Sequence, residues 1–255
     1  MNMNAIELYK NLPKTNCGAC RLKACMPFAL SVIRGDAELS ECTLLSGKEI
    51  DSLKGRITPA DWREDLIRSL REKIKIIDLR EIPRDLGGRM QDNTLMMPCL
   101  GSEFAISPDG EIRSHSHITP WTKILLLHYI NTRGKADLSG KWVSYSDLKS
   151  GMVKASSFLR ECEDPLKELF DADIKKTSAA LEKLGADRSL EFPAPHAWRL
   201  FLLPKMPVII LYWPEEDEFP SKVKILFDQT ADRFLDAESI MFLLEGLVKN
   251  IEMLR

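Results

Sequence analysis

Several features that would place this 255-residue sequence in a familiar class are missing. Its most apolar stretch, Met206–Trp213, is far too short to span a bilayer. A net charge of -2 creates no global basic field for nucleic acid. The sequence has no Gly-rich phosphate loop, no GxSxG elbow and no HExxH helix. We therefore expect neither membrane insertion nor nucleic-acid binding, and no catalytic constellation is visible.

The composition is that of an ordinary folded protein, with 44% hydrophobic and 29% charged residues, which is enough for a real core. Residues 1–8 lack the basic segment and apolar run of a signal peptide. We therefore expect a cytoplasmic protein, in which clustered cysteines favour a metal centre over disulfides.

The cysteines are distributed unevenly. Four of the 6 lie close together, as Cys17, Cys20, Cys25 and Cys42, with the spacing C-x2-C-x4-C-x16-C. Three thiolates on one tight loop and a fourth after a helix are typical of a [4Fe–4S] cluster. The main alternative is a structural zinc site, but zinc ribbons usually have two separated CxxC pairs, whereas this chain has one.

Helical patterns flank these cysteines. Residues 5–12 have helix-forming composition, and Pro13 is expected to end that helix. A second helix is predicted from Cys25 to Gly35, so that its N-terminal amides can point toward an anionic cluster. Asp36 is expected to cap a short helix that leads to Cys42.

The segment resembles the iron–sulfur module of the corrinoid iron–sulfur protein large subunit and of the Rnf complex B subunit. The shared residues are Leu12, Pro13, Thr15, Cys17, Gly18, Cys20, Cys25, Phe28, Ala29, Gly35 and Cys42. The resemblance covers about the first 45 residues. It implies that the four cysteines ligate a [4Fe–4S] cluster for low-potential electron transfer, which in the corrinoid protein reactivates oxidised cobalt.

Two positions depart from that family. The family usually has Gly where this chain has Arg21, and often has Pro where it has Thr43. Neither change removes a ligand. Arg21 and Lys23 add positive charge, which either raises the cluster potential, forms a docking patch for an acidic partner, or is simply solvated. The Asp-x-His-x-x-Gly corrinoid-binding motif is absent from the sequence.

A polar stretch over residues 45–56 suggests a boundary near residue 55, which separates a cluster domain, 1–55, from a larger domain, 56–255. Thr58 and Pro59 are expected to start a helix through Leu70. The larger domain is predicted to be α+β with a mostly antiparallel or mixed sheet. The predicted strands are 74–79, a hairpin or meander over 87–113, 142–150 in part, 189–192, 197–203, 208–213 and 222–227. The predicted helices are 119–133, 165–170, 174–184 and Ala237–Leu254.

Most of residues 75–250 resembles an uncharacterised domain family of anaerobic bacteria and archaea. Its resemblance rests on residues 126–129, 142–145, 217–220 and 225–228. It implies an architecture and no chemistry.

Other candidate sites in the larger domain are weaker. His115 and His117 form a possible metal pair but suit a surface loop better. His128 is expected to be a buried structural histidine. The run from Glu215 to Glu218 can bind a cation or a basic partner, although a solvated hairpin turn fits it better.

The two remaining cysteines, Cys99 and Cys162, are expected to be buried free thiols. Three functions stay open. The first is low-potential electron transfer to a redox partner, possibly a corrinoid-dependent methyl-transfer protein. The second is a binding module whose cluster is a structural or sensing element. The third is an enzyme whose site is assembled only in the fold.

Overall fold

The structure, a computed structural model, describes residues 3–20, 22–57, 62–217 and 219–255. Arg21, Thr58, Pro59 and Glu218 lie outside these residues, and so does the helix start predicted at Thr58. The chain divides into two compact units, Met1–Leu66 and Ile67–Arg255. The described residues of the first unit form helices and no strand, and the second unit contains both sheets, which confirms the predicted α+β class. The domain boundary near residue 55 stays a prediction.

The N-terminal unit is built from short helices around a small core. Its elements are α1 (Ala5–Asn11), α2 (Cys25–Arg34), a 3-10 turn (Leu39–Glu41), α3 (Gly47–Lys54) and the start of α4 (Trp62–Ile74). Asn4 and Glu7 form a capping box at α1, and Gly35 ends α2 with a φ of 74°. The buried residues of this core are Met3, Leu8, Leu12, Cys25, Phe28, Ala29, Val32, Leu39, Cys42, Leu45 and Leu53.

One prediction for this unit is wrong. Asp36 does not cap the turn before Cys42; Glu38 and Glu41 form that capping box, and Asp36 accepts a hydrogen bond from Arg63. The polar stretch over residues 45–56 contains a helix that was not predicted, α3, which starts with a capping box between Ser46 and Glu49. The apolar period of α3 is weak because most of its surface is exposed.

The second unit begins with a four-stranded antiparallel meander, which confirms the period-two pattern. Its elements are α5 (Pro83–Leu86), β1 (Arg89–Gln91), β2 (Thr94–Cys99), β3 (Ser102–Ile106) and β4 (Ile112–Arg113). The strand predicted over residues 74–79 is wrong, because Ile74 ends α4 and a turn follows. Ile77 and Leu79 in this stretch are nevertheless buried, although they lie in an irregular segment.

The larger sheet has five strands in the order β5-β9-β8-β7-β6, each antiparallel to its neighbours. The strands are β5 (Trp142–Ser144), β6 (Asp187–Arg188), β7 (His196–Leu203), β8 (Met206–Trp213) and β9 (Lys222–Asp228). The central strand β8 is buried along nearly its whole length. The strand predicted over 189–192 is wrong, because β6 ends at Arg188, the Ser189 N–H makes one more hydrogen bond to Ala197, and bends follow from residue 191.

Helices accompany this sheet. They are α6 (Pro120–Asn131), α7 (Gly151–Phe158), a π-helical turn (Leu159–Glu163), α8 (Asp164–Ala172), α9 (Ile174–Lys183) and α10 (Ala237–Leu254). Thr119 caps α6 as expected, and α10 has the predicted bounds. Helix α7 and the π-helical turn were not predicted. Within the described parts of the chain, no helix combines the length and apolarity needed to cross a bilayer.

Candidate metal centre

The four clustered cysteines come together in the N-terminal unit. Cys17 and Cys20 lie on the loop between α1 and α2, Cys25 is the first residue of α2, and Cys42 follows the 3-10 turn. All four line a single pocket, together with Pro13, Thr15, Asn16, Gly18, Ala19, Ala24, Phe28, Thr43 and Leu44. The fold therefore brings Cys42 back to a loop that is more than twenty positions away in the sequence.

The loop backbone has an unusual conformation. Lys14, Asn16 and Gly18 have φ values of 58°, 47° and 73°, at alternate positions, and Lys23 has a φ of 56°. Where left-handed residues alternate with right-handed ones, successive N–H groups turn toward one side and form a concave anion site, which occurs at many iron–sulfur centres. Gly18 adopts this conformation at no steric cost and Asn16 tolerates it, so the loop holds strain mainly at Lys14 and Lys23.

Asn16 connects this loop to the helix that follows. Its Oδ1 accepts a hydrogen bond from the Cys25 N–H at 2.9 Å. Ala24, the N-cap residue of α2, provides no side-chain cap, so Asn16 supplies the missing acceptor from nine residues upstream. The sequence contained the signal, an Asn before a loop cysteine and an Ala at the N-cap, but we did not identify Asn16 as a site residue.

The four thiols differ in exposure. Cys25 and Cys42 are buried, Cys20 is half-buried and Cys17 is exposed. The backbone N–H of Ala19 and the side chain of Thr15 form hydrogen bonds with Cys17 that lower the pKa of its thiol from the usual value. These bonds favour the thiolate, which is the form that binds metals. The pocket thus has an inner side inside the core and an outer side at the surface.

The donor set fits an iron–sulfur cluster. A [4Fe–4S] cluster takes four thiolates, one at each iron, and the pocket is lined by four cysteines. A single zinc ion needs its sulfurs about 2.3 Å from one point. Among the residues that the structure describes, no group of three or more His, Cys, Asp or Glu side chains is arranged to hold one metal ion.

The other two cysteines lie in the second unit and are buried, as expected. Cys99 ends β2, and burial raises the pKa of its thiol to about 12. Cys162 lies on the π-helical turn, where burial raises its pKa and its Sγ donates to the Met241 carbonyl at 3.6 Å. Both are therefore poor thiolates and differ from Cys17 in this respect.

The histidines singled out in the sequence lie at the surface or are half-buried. His115 and His117 are exposed on the loop after β4, which agrees with a surface loop. His128 is half-buried and not fully buried as predicted. It lines a pocket with Ser150, Asp232 and other residues, and burial lowers its pKa.

The acidic run forms the connection between β8 and β9. Glu215, Glu216 and Asp217 are exposed, and Glu216 and Phe219 exchange backbone hydrogen bonds of 3.1 and 2.8 Å. Asp217 has a φ of 45°. The described part of the run is therefore a solvated hairpin turn, the simpler of the two expectations.

Comparison with known proteins identifies the N-terminal segment by class. Residues 12–44 match a family described as "Putative Fe-S cluster", which supports an iron–sulfur cofactor. The "Acetyl-CoA decarbonylase/synthase complex subunit gamma" of Methanothermobacter thermautotrophicus is 42% identical over 60 residues, or 24% of this chain and 13% of that relative. The "Corrinoid/iron-sulfur protein large subunit" of Moorella thermoacetica is 36% identical over 59 residues, or 23% of this chain and 13% of the relative. The chain thus spans only about an eighth of the length of these relatives.

The second unit places the chain in a family. Residues 78–250 match the "Domain of unknown function (DUF3786)", and the chain belongs to this family. Both resemblances found in the sequence are thereby confirmed. No solved structure matches the chain significantly.

Proposed function

We propose that Cys17, Cys20, Cys25 and Cys42 bind a [4Fe–4S] cluster. The observation that carries the proposal is that all four cysteines line the same pocket. The alternating left-handed backbone of the loop and the thiolate-favouring bonds at Cys17 add to it. No other group of cysteines among the described residues offers a comparable donor set, because Cys99 and Cys162 are buried with raised pKa values.

The protein would use this centre for low-potential electron transfer. When bound, a [4Fe–4S] cluster supplies a one-electron redox couple. Cys25 and Cys42 anchor the inner side of the pocket in the core, while Cys17, Gly18 and Ala19 are exposed at its outer side. A redox partner can therefore approach the outer loop directly, without an opening of the fold.

The partner we propose is a redox protein with an acidic docking face. Lys14 and Lys23 are exposed beside the cysteine loop and would attract such a face. The names of the relatives point to corrinoid and acetyl-CoA systems, so a corrinoid-dependent methyl-transfer protein is the first candidate. We place this role in the cytoplasm of an anaerobe.

Metal analysis of single-cysteine variants tests the ligand set. Protein purified without oxygen is expected to contain about four irons and four sulfides per chain. Replacement of each of Cys17, Cys20, Cys25 and Cys42 by Ser should lower the iron content strongly. Cys99→Ala and Cys162→Ala, the matched controls, should keep it. Zinc without iron in the wild-type protein, or iron loss in the controls alone, would refute the assignment.

A structural cluster is the second candidate function. Cys25 and Cys42 belong to the buried core of the N-terminal unit. A cluster there would hold α2 and the 3-10 turn together without exchanging electrons. In that case the cluster would resist reduction at low potential, and its removal would unfold the N-terminal unit. Reversible reduction of the intact protein would contradict this candidate.

A further inference from the structure

A groove in the second unit lies along the free edge of β9. Strand β5 pairs only with the end of β9, from Ser144 opposite Leu226 to Trp142 opposite Asp228. The first half of β9 therefore lacks a neighbouring strand on that side among the described residues. The groove has a cavity volume of about 450 Å³, which is within the usual range for pockets that bind small molecules.

A buried carboxylate holds one wall of the groove. The π-helical turn (Leu159–Glu163) interrupts the helical path from α7 to α8, and such turns often occur at functional sites. It ends at Glu163, which is only 5% exposed. Glu163 Oε1 accepts the Ile225 N–H at 3.0 Å and lies 3.3 Å from Lys224 Nζ. Glu163 thus provides the hydrogen-bond acceptor for the Ile225 N–H at the open edge of β9, and it holds the Lys224 ammonium group at the groove.

A second carboxylate fixes another lysine. Asp171, at the end of α8, accepts hydrogen bonds from Tyr212 Oη at 2.8 Å, Ser221 Oγ at 2.7 Å and Lys167 Nζ at 3.1 Å. Burial opposes its ionisation, but these bonds outweigh that effect and lower the pKa of the carboxyl group. Lys167 lines the same groove as Lys224. Each ammonium group has three donors, and the carboxylate takes one of them.

The rest of the lining completes a site for a charged organic molecule. Lys222 adds a third ammonium group, whereas the hydroxyl proton of Ser221 is already donated to Asp171. Phe158 and the half-exposed Leu159 add apolar surface. Three ammonium groups meet three carboxylates, because Asp171 pairs with Lys167 and the lining itself contains Glu163 and Asp164. The groove is therefore close to neutral, and the N–H donors that Lys167 and Lys224 do not use on Asp171 and Glu163 remain for a ligand.

We propose that this groove binds a small organic anion, whose phosphate or carboxylate group is held by Lys167, Lys222 and Lys224. Lys167 and Lys224 are oriented by Asp171 and Glu163 before the ligand arrives, so little side-chain entropy is lost on binding. None of these residues belongs to the candidate metal centre, so this proposal stands or falls separately from the cluster.

Calorimetric titration of the full chain tests the proposal, with inorganic phosphate and malonate as separate probes at low ionic strength. We expect at least one of them to bind with a dissociation constant on the order of 1 mM or tighter. The stronger probe tells whether phosphate or carboxylate chemistry is preferred. Added salt should weaken binding, because the lysines are partly exposed.

Lysine variants decide whether binding occurs in the groove. Lys167→Met and Lys224→Met should raise the dissociation constant about ten- to a hundredfold. Lys222→Met, at an exposed position, keeps the test valid if the other variants do not fold. Lys249→Met on α10 is the matched control and should bind as the wild type does. Absence of binding by both probes, or equal affinities in the groove and control variants, would overturn the proposal.

Discussion

The bond from Asn16 to Cys25 makes a sharp prediction about the cysteine loop. Asn16 does two things there: its side chain accepts the Cys25 N–H at 2.9 Å, and its backbone has a φ of 47°. Substitutions separate the two. Asn16→Gly removes the acceptor and tolerates the backbone, Asn16→Ala removes the acceptor and strains the backbone, and Asn16→Asp keeps the acceptor.

The expected losses follow from these two terms. A lost hydrogen bond of this kind costs about 1 kcal/mol, and a left-handed Ala costs about 1 kcal/mol more. We therefore expect losses of about 1 kcal/mol for Asn16→Gly and about 2 kcal/mol for Asn16→Ala, with little change for Asn16→Asp. A unit of this size has a stability of about 3–10 kcal/mol, so the Ala variant should also lose iron faster to a chelator.

Hydrogen exchange of the Cys25 amide in the metal-free full chain measures the bond without depending on the cluster. The protection of the Cys25 amide should fall in Asn16→Gly and Asn16→Ala, by about tenfold for each 1.4 kcal/mol of stability lost. It should stay unchanged in Asn16→Asp. Lys14→Gly is the matched control, because Lys14 has a φ of 58° but makes no such bond to Cys25. Wild-type protection in Asn16→Ala, or equal losses in Asn16→Gly and Asn16→Asp, would refute the reasoning.

Further predictions concern the second unit. Gly134→Ala should destabilise it by about 3 kcal/mol or more, because a Cβ there would lie 2.1 Å from the Asp85 carbonyl oxygen. Gly140→Ala has a similar φ and open space, so urea unfolding should show a loss of only about 1 kcal/mol. Equal losses would contradict this. Buried Asp228 accepts hydrogen bonds from Ser139, Gly140 and Thr230, which outweigh the effect of burial and lower its pKa. Its contribution is present above the unfolded pKa, near 3.9, and is lost as pH falls through the lower folded pKa. Asp228→Asn should therefore lower the free energy of unfolding by about 1–3 kcal/mol at pH 7 and remove this part of its acid sensitivity. Acid unfolding with an unchanged pH profile would count against the role of Asp228.

Periodic patterns in the sequence predicted the elements that bury one regular face. The meander over 87–113 and helix α10 are examples, since alternating or helically spaced apolar residues meet the core in both. Helices α3 and α7 were missed because most of their surface is exposed. Met152 and Val153 on α7 are even 76% and 86% exposed, so apolar residues there did not mark a buried face.

The candidate metal centre was predictable only in part. Cysteine spacing indicated which four residues line one pocket, because metal ligands must converge on one point. The left-handed backbone at Lys14 and Lys23 and the capping role of Asn16 depend on how the loop closes onto α2, which spacing does not encode. The groove beside β9 was invisible for the same reason: Glu163, Asp171 and Lys224 are brought together by the strand order and the π-helical turn.

The central claim is that Cys17, Cys20, Cys25 and Cys42 hold a [4Fe–4S] cluster that exchanges single electrons. The most direct measurement is a potentiometric titration of anaerobically purified protein, followed by EPR spectroscopy. Our account predicts a signal that appears and disappears reversibly at low potential and reaches about one unpaired electron per chain. Iron-containing protein that stays EPR-silent down to strongly reducing potentials, or protein that contains zinc alone, would contradict it.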